Sequence, residues 1–281
     1  MSKLFEAETS AEAWVLGMEH LLKKPDGKDF NLVLSIARPD QEIKPFTKTV
    51  DALAEDTESA STMENANAIW PYVLATPGRA LPEVVKRIKE FAAPLIKRAN
   101  ATHADSYVQR IVGWRSRDGV DEVPQLENLI ERMKTEIGRA APKSSCYEVA
   151  IFSPGLDAGY MSFPCLSHLS FKLDNRERKL HLTALYRNHH YISHAYGNLL
   201  GLGRLMRFVA QQVGIEVGEL VVISTHADAE LNKGRQGIRT ALAKARALVE
   251  THATPRPARQ GDAIHVAAPA SAAVESKNRR P

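Results

Sequence analysis

Residues 199–213 place the strongest constraint on the fold, because this segment is apolar on most sides. A helix with such a pattern is normally buried, so other elements of the chain must enclose it. Gly201 and Gly203 lie inside the segment, and the missing side chains permit a neighbouring element to approach closely. Gly214 follows directly and is a typical residue for ending a helix. The sequence therefore predicts a central, buried helix.

Apolar segments on both sides of this helix have the pattern of β-strands. Two of them are separated by the polar residues 174–178, which predicts a β-hairpin, and a short apolar run after the helix predicts a buried strand. These strands are predicted at residues 147–151, 163–173, 179–187 and 220–223.

Helical spacing of apolar residues predicts five further helices, and an alternating pattern predicts one more strand. Ser10 is expected to cap the first helix and Pro71 to stop the second. The helices are predicted at residues 10–24, 49–68, 81–98, 124–137 and 228–248, and the strand at residues 30–36. This mixture predicts one α+β domain in which a mixed β-sheet is backed by helices.

The positive charge of the chain is concentrated at its C-terminus. Five basic and two acidic residues after position 250 account for +3 of the net charge of +4, so the remaining residues are near neutral. A near-neutral body lacks the electrostatic footprint of a nucleic-acid-binding protein. Residues 1–250 are predicted to form the domain, and residues 251–281, which are rich in Ala, Pro and Arg, a disordered tail.

The remaining composition predicts a reduced, cytoplasmic protein. Cys146 and Cys165 provide no disulfide framework. No run of about 18 apolar residues predicts a membrane span, and the first residues lack the apolar core of a signal peptide.

Cys165, Arg187 and Asn198 are the residues with the clearest chemical potential. A thiol attacks as the thiolate, and a free cysteine with a pKa of about 8.5 is only slightly ionised at neutral pH. A neighbouring arginine would lower that pKa and could hold a phosphate in a bidentate fork. An asparagine amide offers a donor and an acceptor, which suits the edge of a uracil ring. The alternative is that Cys165 is simply a buried apolar residue.

Six short motifs around these residues follow one another in a defined order. They read Pro164-Cys165, Leu185-Tyr186-Arg187-Asn188, Asn198, Ala210-Gln211-Gln212, Glu216-Val217-Gly218-Glu219 and Thr225-His226. This order resembles the thymidylate synthase family, whose sequence runs Pro-Cys, Leu-Tyr-Gln-Arg-Ser, Asn, Ala-Gln-Gln, Glu-Val-Gly-Asp and Thr-His. The ungapped spacing from Arg187 to Gln212 also fits that family. The chain resembles a divergent member, and the pyrimidine nucleotide hydroxymethylases are similar relatives that add water instead of a hydride.

The resemblance implies a thymidylate-synthase-like fold, a homodimer built through one face of the sheet, and one-carbon transfer to C5 of a pyrimidine nucleotide from 5,10-methylenetetrahydrofolate. It implies that Cys165 adds to C6 of the base and that Arg187 contacts both the thiol and the phosphate. Asn198 would read the base, and Asn198 favours a uracil ring over a cytosine ring. The other substrate-binding residues implied by the resemblance are Asn188, His226, Tyr107 and Lys143, and the cofactor-binding residues are His190 and Trp70.

Several positions depart from the family pattern. Asn67 stands where an early helix of the family carries a catalytic Glu, and Glu64 lies one helical turn earlier and could substitute. Asn cannot shuttle a proton as a carboxyl group can. Residues 142–146 replace the run that lends two arginines across the dimer interface, which leaves Lys143 as the cation there. His190 replaces an Asp that binds the pterin, and Asp228 replaces a sugar-binding Tyr.

Two alternatives to the enzyme remain open at this point. The departures are compatible with a nucleotide-binding homologue on the same fold that has lost turnover. The other alternative is a metal-dependent hydrolase, which is suggested by the histidines at positions 168, 189, 190, 194 and 226. His189 and His190, however, would point to opposite faces of an extended segment. We expect no metal.

Overall fold

The computed structural model describes residues 2–54, 60–76, 78–98, 106–115, 122–157, 164–231 and 235–252. The predicted α+β class is confirmed, because a mixed sheet is backed by helices. The strands are β1 (Lys3–Ala7), β2 (Lys28–Ile36), β3 (Trp114–Arg115), β4 (Glu122–Val123), β5 (Tyr147–Ala150), β6 (Leu166–Asp174), β7 (Lys179–Tyr186), β8 (His189–His190) and β9 (Glu216–Asp228). The helices are α1 (Ser10–Leu22), α2 (Lys44–Ala54), α3 (Thr62–Ile69), α4 (Leu81–Arg98), α5 (Tyr107–Val112), α6 (Gln125–Glu136), α7 (Tyr196–Val213) and α8 (Arg235–Thr251).

Seven strands form the main sheet in the order β1-β2-β9-β7-β6-β5, and β8 pairs with β9 beyond the end of β7. Strand β9 is parallel to β7 and antiparallel to β2, and β6 is antiparallel to β7. As a consequence the C-terminal ends of β7 and β9 meet the N-terminal ends of β2 and β6 at one edge of the sheet. This edge holds the candidate site described below.

Helix α7 is the predicted central helix, and almost all of its side chains are buried. It packs on β7 and β9, while α3 packs against it from the other side. Gly201 makes this close approach possible, because a Cβ at that position would lie 2.7 Å from the carbonyl oxygen of Ala66 in α3. Gly214 ends α7 with a φ of 79°, in the left-handed region that glycine adopts without strain.

Side chains alternate along β6, β7 and β9 between a buried face and a half-buried one. The buried face packs on the helices and contributes to a continuous apolar core. The half-buried face carries Thr183, Val221 and Ile223 on the two central strands. None of the helices in the described part of the chain is both long and apolar enough to cross a bilayer.

The prediction for residues 220–223 was too short, since β9 extends over thirteen residues. Polar residues of the half-buried face, such as Glu219 and Thr225, interrupt its apolar pattern. The last helix begins at Arg235 and not at Asp228, because Asp228 ends β9, where it pairs with His190 of β8 and forms an ion pair with Lys28 at 3.1 Å.

The helix predicted at residues 49–68 was wrong as a single element, because α2 and α3 are separate. Ser61 begins α3 with a capping box, in which its hydroxyl accepts from the backbone N–H of Glu64 and the Glu64 carboxylate accepts from the backbone N–H of Ser61. The N-cap of α1 is Thr9 and not Ser10, whose hydroxyl donates to the carbonyl of Pro39. The tail was predicted at residues 251–281, but Thr251 is the last residue of α8. Residues 253–281 and Phe163 lie outside the described residues.

Candidate active site

Cys165 lies beside Arg187 because β6 and β7 are paired at the edge of the sheet. Leu166 pairs with Tyr186, and the backbone N–H of Arg187 donates to the carbonyl of Cys165 at 2.9 Å. The Arg187 side chain turns back toward the same segment, where its Nε donates to the carbonyl of Pro164 at 3.0 Å. The thiol and the guanidinium therefore belong to one rigid corner of the sheet.

Tyr107 at the start of α5 completes this corner. Its phenol oxygen accepts from the backbone N–H of Cys165 at 3.1 Å and from that of Leu166 at 3.4 Å. Burial, together with the neighbouring Cys165, raises the pKa of Tyr107 to about 12, so the phenol stays protonated at neutral pH. The sequence resemblance indicated Tyr107, and the structure places it against the Cys165 backbone.

Cys165 as a residue is partly exposed, although it also packs against the apolar core. Burial raises its pKa above the ordinary value, and the charge of Arg187 lowers it by a smaller amount. The expectation that Arg187 favours the thiolate is correct in direction, but the expected net decrease is wrong because desolvation outweighs the arginine. A bound group that brings further positive charge or hydrogen-bond donors to the sulfur would lower this pKa, whereas exclusion of water alone would raise it further.

Upstream of Cys165, a buried ion pair anchors the chain. The two terminal guanidinium nitrogens of Arg110 in α5, Nη1 and Nη2, donate to the Asp157 carboxylate at 2.6 and 2.8 Å. The same arginine donates to the carbonyl of Ile151, and Asp157 also accepts from the backbone N–H of Ser153. The segment that leaves β5 is thus tied to the helix that carries Tyr107.

Asn188 joins two predicted site residues on the other side of Arg187. Its Oδ1 accepts from His226 Nδ1 at 2.6 Å, and its Nδ2 donates to His190 Nε2 at 2.9 Å. Since Nε2 of His190 accepts, a neutral ring carries its proton on Nδ1. That Nδ1 is buried and has no hydrogen-bond partner among the described residues.

Asn198, in the first turn of α7, contacts a histidine that the sequence did not assign to the nucleotide site. Its Nδ2 donates to His189 Nε2 at 3.3 Å, and His189 Nδ1 lies 2.9 Å from the hydroxyl of Ser224 on β9. The His189 ring is stacked on Tyr186, with centroids 4.1 Å apart and planes inclined by only 3°. His189 drew attention only as a metal candidate, and nothing in the sequence indicated its partners.

Phe30 on β2 was also missed. Its ring lies 5.6 Å from that of His226, the cross-strand partner, and the residue is 68% exposed. No distinctive sequence pattern identifies an exposed aromatic residue on such a strand as part of a site. The Phe30 ring adds an apolar surface to the edge of the sheet that holds the candidate site.

Four predicted residues have their observed contacts with other parts of the chain. Glu64 is exposed and caps its own helix, and Asn67 lies 3.5 Å from an Arg204 nitrogen. Trp70 is 1% exposed and packs on Phe208, so its ring offers no open face to a ligand. Lys143 is exposed and precedes β5, whose first residue pairs with Phe171, toward the end of β6 away from Cys165.

No group of three or more His, Cys, Asp or Glu side chains within the described ranges is arranged to hold a metal ion. His168 is bonded to Glu148 on the sheet, and His189 and His190 have separate partners. His190 and His194 lie with their ring centroids 6.0 Å apart across the π-helical turn Tyr191–Ala195. His168, His189 and His190 therefore each form hydrogen bonds with other side chains.

No family model matches the chain. Curated relatives do match: a protein of Methanosarcina mazei named "Putative thymidylate synthase" is 32% identical over 143 residues, which are 50% of this chain and 60% of the relative. A protein of the same name from Methanosarcina acetivorans gives the same identity and coverage. A third, from Methanothermobacter thermautotrophicus, is 34% identical over 115 residues, 40% of this chain and 46% of the relative.

The aligned part spans less than two thirds of the length of these relatives. The resemblance of this chain to thymidylate synthases is confirmed over about half of its length, and the identities near 30% mark it as a divergent relative.

Proposed function

We propose that the protein transfers a one-carbon unit to C5 of a pyrimidine nucleotide, with uridylates preferred, through a covalent bond between Cys165 and C6 of the base. The observation that supports this most is the corner formed by Cys165, Arg187 and Tyr107. Hydrogen bonds to the backbone of residues 164–165 hold a guanidinium and a phenol there beside a partly exposed cysteine. A bound nucleotide phosphate would occupy the Arg187 side, and Asn198 would face the base.

The reaction requires the thiol because C5 of uracil is a weak nucleophile until C6 is bonded to another atom. The Cys165 sulfur forms a bond to C6, and the C5–C6 electron pair moves toward the carbonyl at C4, so that C5 becomes enolate-like. C5 bonds to the one-carbon unit and then loses its proton, while the bond between that unit and its nitrogen carrier breaks and leaves its electron pair on nitrogen. The resulting exocyclic carbon takes up a hydride or water, the C6–S bond breaks, and its electron pair returns to sulfur.

The residues of the chain have separate tasks in this scheme. Arg187 favours the thiolate and holds the phosphate, while Asn198 binds the base edge. His226 is fixed by Asn188 and would bind the sugar. Tyr107, which stays protonated, keeps the Cys165 backbone in place.

The cofactor implied by this chemistry is 5,10-methylenetetrahydrofolate, which supplies the one-carbon unit when bound. His190 fits a pterin ring, because its buried Nδ1 can donate to a ring nitrogen or carbonyl oxygen and is otherwise without a partner in the described chain. Trp70 does not fit in this conformation, because its ring is covered by Phe208. A methyl product also requires a hydride, whereas a hydroxymethyl product requires water.

The second candidate is a nucleotide-binding homologue without turnover. It is favoured by the position of Glu64, the nearest substitute for the family's catalytic Glu, whose carboxylate is bonded to Ser61. An enzyme of this scheme would then need another group to remove the C5 proton.

Release of tritium from C5-labelled nucleotides separates the two candidates. We expect release from 5-tritiated dUMP or UMP with methylenetetrahydrofolate, more slowly from dCMP and CMP, and no release with Cys165→Ser. Cys146→Ser is the matched control and should retain release. Tight binding of one nucleotide without release from any of the four would establish the second candidate instead.

A further inference from the structure

The amide of Asn198 can bind two different base edges. Uracil presents an N3–H donor beside an O4 acceptor, whereas cytosine presents an N3 acceptor beside an N4 amino donor. An asparagine amide complements either edge, but in opposite orientations, because its oxygen only accepts and its nitrogen only donates. Whatever fixes the orientation of the amide therefore affects which base is bound.

His189 provides such a constraint. The Asn198 nitrogen donates to His189 Nε2, and reversing the amide would bring the Asn198 oxygen against the same unprotonated nitrogen. Two acceptors would then face each other in a buried place, because Asn198 is 5% and His189 1% exposed. The reversed amide would require the proton of His189 to move to Nε2.

The surroundings of His189 hold one arrangement of the ring. Since Nε2 accepts, Nδ1 carries the proton and donates to Ser224, which is completely buried on β9. Stacking on Tyr186 fixes the ring plane, and Tyr191 contacts its edge at 5.4 Å between centroids. Burial lowers the pKa of His189 to about 3, with smaller contributions from His194 and His190, so the ring stays neutral at physiological pH.

We propose that His189 is a positioning residue that holds the amide of Asn198 in one orientation and thereby lets the nucleotide site discriminate between uracil and cytosine, with uracil as the preferred base of the proposed function. This inference rests on the proposed function, because it takes Asn198 as the residue that binds the base. It assigns to His189 a role in specificity and none in bond formation.

The main test compares dUMP and dCMP binding by calorimetry in the full chain and in His189→Phe, which keeps an aromatic ring on Tyr186 but removes both nitrogens. The unaltered protein is expected to bind dUMP at least about tenfold more tightly than dCMP, the size of one mismatched buried hydrogen bond. In His189→Phe the ratio should fall toward one. His168→Phe, a change at a histidine on the sheet that is bonded to Glu148, should leave the ratio unchanged.

An unchanged ratio in a folded His189→Phe protein would overturn the proposal, as would equal binding of both nucleotides by the unaltered protein. If His189→Phe does not fold, His189→Gln serves the same purpose, because a glutamine amide can present either an acceptor or a donor to Asn198.

A nitrogen-15 NMR measurement tests His189 without any nucleotide. We expect the neutral tautomer with its proton on Nδ1, unchanged between pH 5.5 and pH 8. A proton on Nε2 would overturn the proposal. If the protein binds neither nucleotide while the Nδ1–H tautomer is present, the proposed function fails and the arrangement around His189 stands.

Discussion

The thiol of Cys165 is subject to two opposing influences, burial and the charge of Arg187. Burial disfavours the thiolate and the guanidinium favours it, so the net effect depends on both. The raised pKa means that little thiolate is present in the free protein near neutral pH. Cys165 would therefore become a strong nucleophile mainly when a bound ligand changes the surroundings of the sulfur.

Removing the charge of Arg187 should make Cys165 less reactive. In a Cys146→Ser background, Arg187→Gln is expected to slow alkylation of Cys165 by iodoacetamide at pH 8 several-fold. The reason is that loss of the cation raises the thiol pKa further, so the rate increases only at higher pH. The rate measured from pH 7 to pH 10 gives this pKa directly.

Arg207→Gln is the matched control, because Arg207 lies on α7 with its side chain about half exposed, and its ion partner is Asp40. It should leave the rate of alkylation unchanged. Equal or faster alkylation of the Arg187→Gln protein would show that the guanidinium does not act on the thiol.

Single residues differ in how far the sequence could predict their surroundings. The neighbourhood of Cys165 and Arg187 was predictable, because the hairpin pattern brings the two strand ends together. The partners of His189 were not, since Ser224 and Asn198 lie 35 and 9 positions away and meet it only through β9 and α7. The direction of the net shift in the Cys165 pKa could not be predicted from the sequence either, because it depends on burial.

At the scale of elements, the contact between α3 and α7 depends on glycine. Gly201→Ala is expected to destabilise the protein by about 1–3 kcal/mol, because the new methyl group would meet the Ala66 carbonyl oxygen at 2.7 Å and Ile69 at 2.8 Å. Urea unfolding followed by circular dichroism measures the change.

Gly237→Ala is the control for the same substitution in α8, where a Cβ would meet nothing within 4 Å. It should stabilise the protein by up to about 1 kcal/mol through helix propensity. Equal effects of the two substitutions would contradict the close packing of α3 on α7.

The Arg110–Asp157 pair should be essential to the segment that leads toward the site. Asp157→Asn is expected to destabilise the fold by about 3–5 kcal/mol, because it leaves a buried guanidinium without its counter-charge. The double variant Arg110→Met, Asp157→Leu should recover part of this loss. Thermal unfolding of the three proteins tests the order, and a double variant less stable than Asp157→Asn would contradict it.

Elements with one clear periodicity were predicted well, and those that depend on tertiary pairing were not. The hairpin of β6 and β7 and the helix α7 follow from local apolar patterns. The full length of β9 does not, because its polar residues lie on the half-buried face. The separation of α2 from α3 depends on the Ser61 cap, which a continuous helical pattern concealed.

At the scale of the whole molecule, we propose that the half-buried face of the sheet pairs with a second copy of the chain. Lys143 is remote from Cys165 within one chain, so it could reach a nucleotide phosphate only from a partner. Sedimentation at micromolar concentration should give a dimer, and Val221→Glu on that face should give a monomer. Val73→Glu, at a site that is 74% exposed, should remain dimeric, and a monomeric unaltered protein would contradict the proposal.

The central claim is that the sulfur of Cys165 bonds to C6 of a pyrimidine nucleotide. A 5-fluoropyrimidine nucleotide tests it most directly, because fluorine at C5 cannot leave as a proton does and the covalent adduct persists. After incubation with 5-fluoro-dUMP and methylenetetrahydrofolate, mass spectrometry of the digested protein is expected to find the added mass on the peptide that contains Cys165, and none in Cys165→Ser. Tight binding of the nucleotide with no added mass on Cys165 would contradict the account.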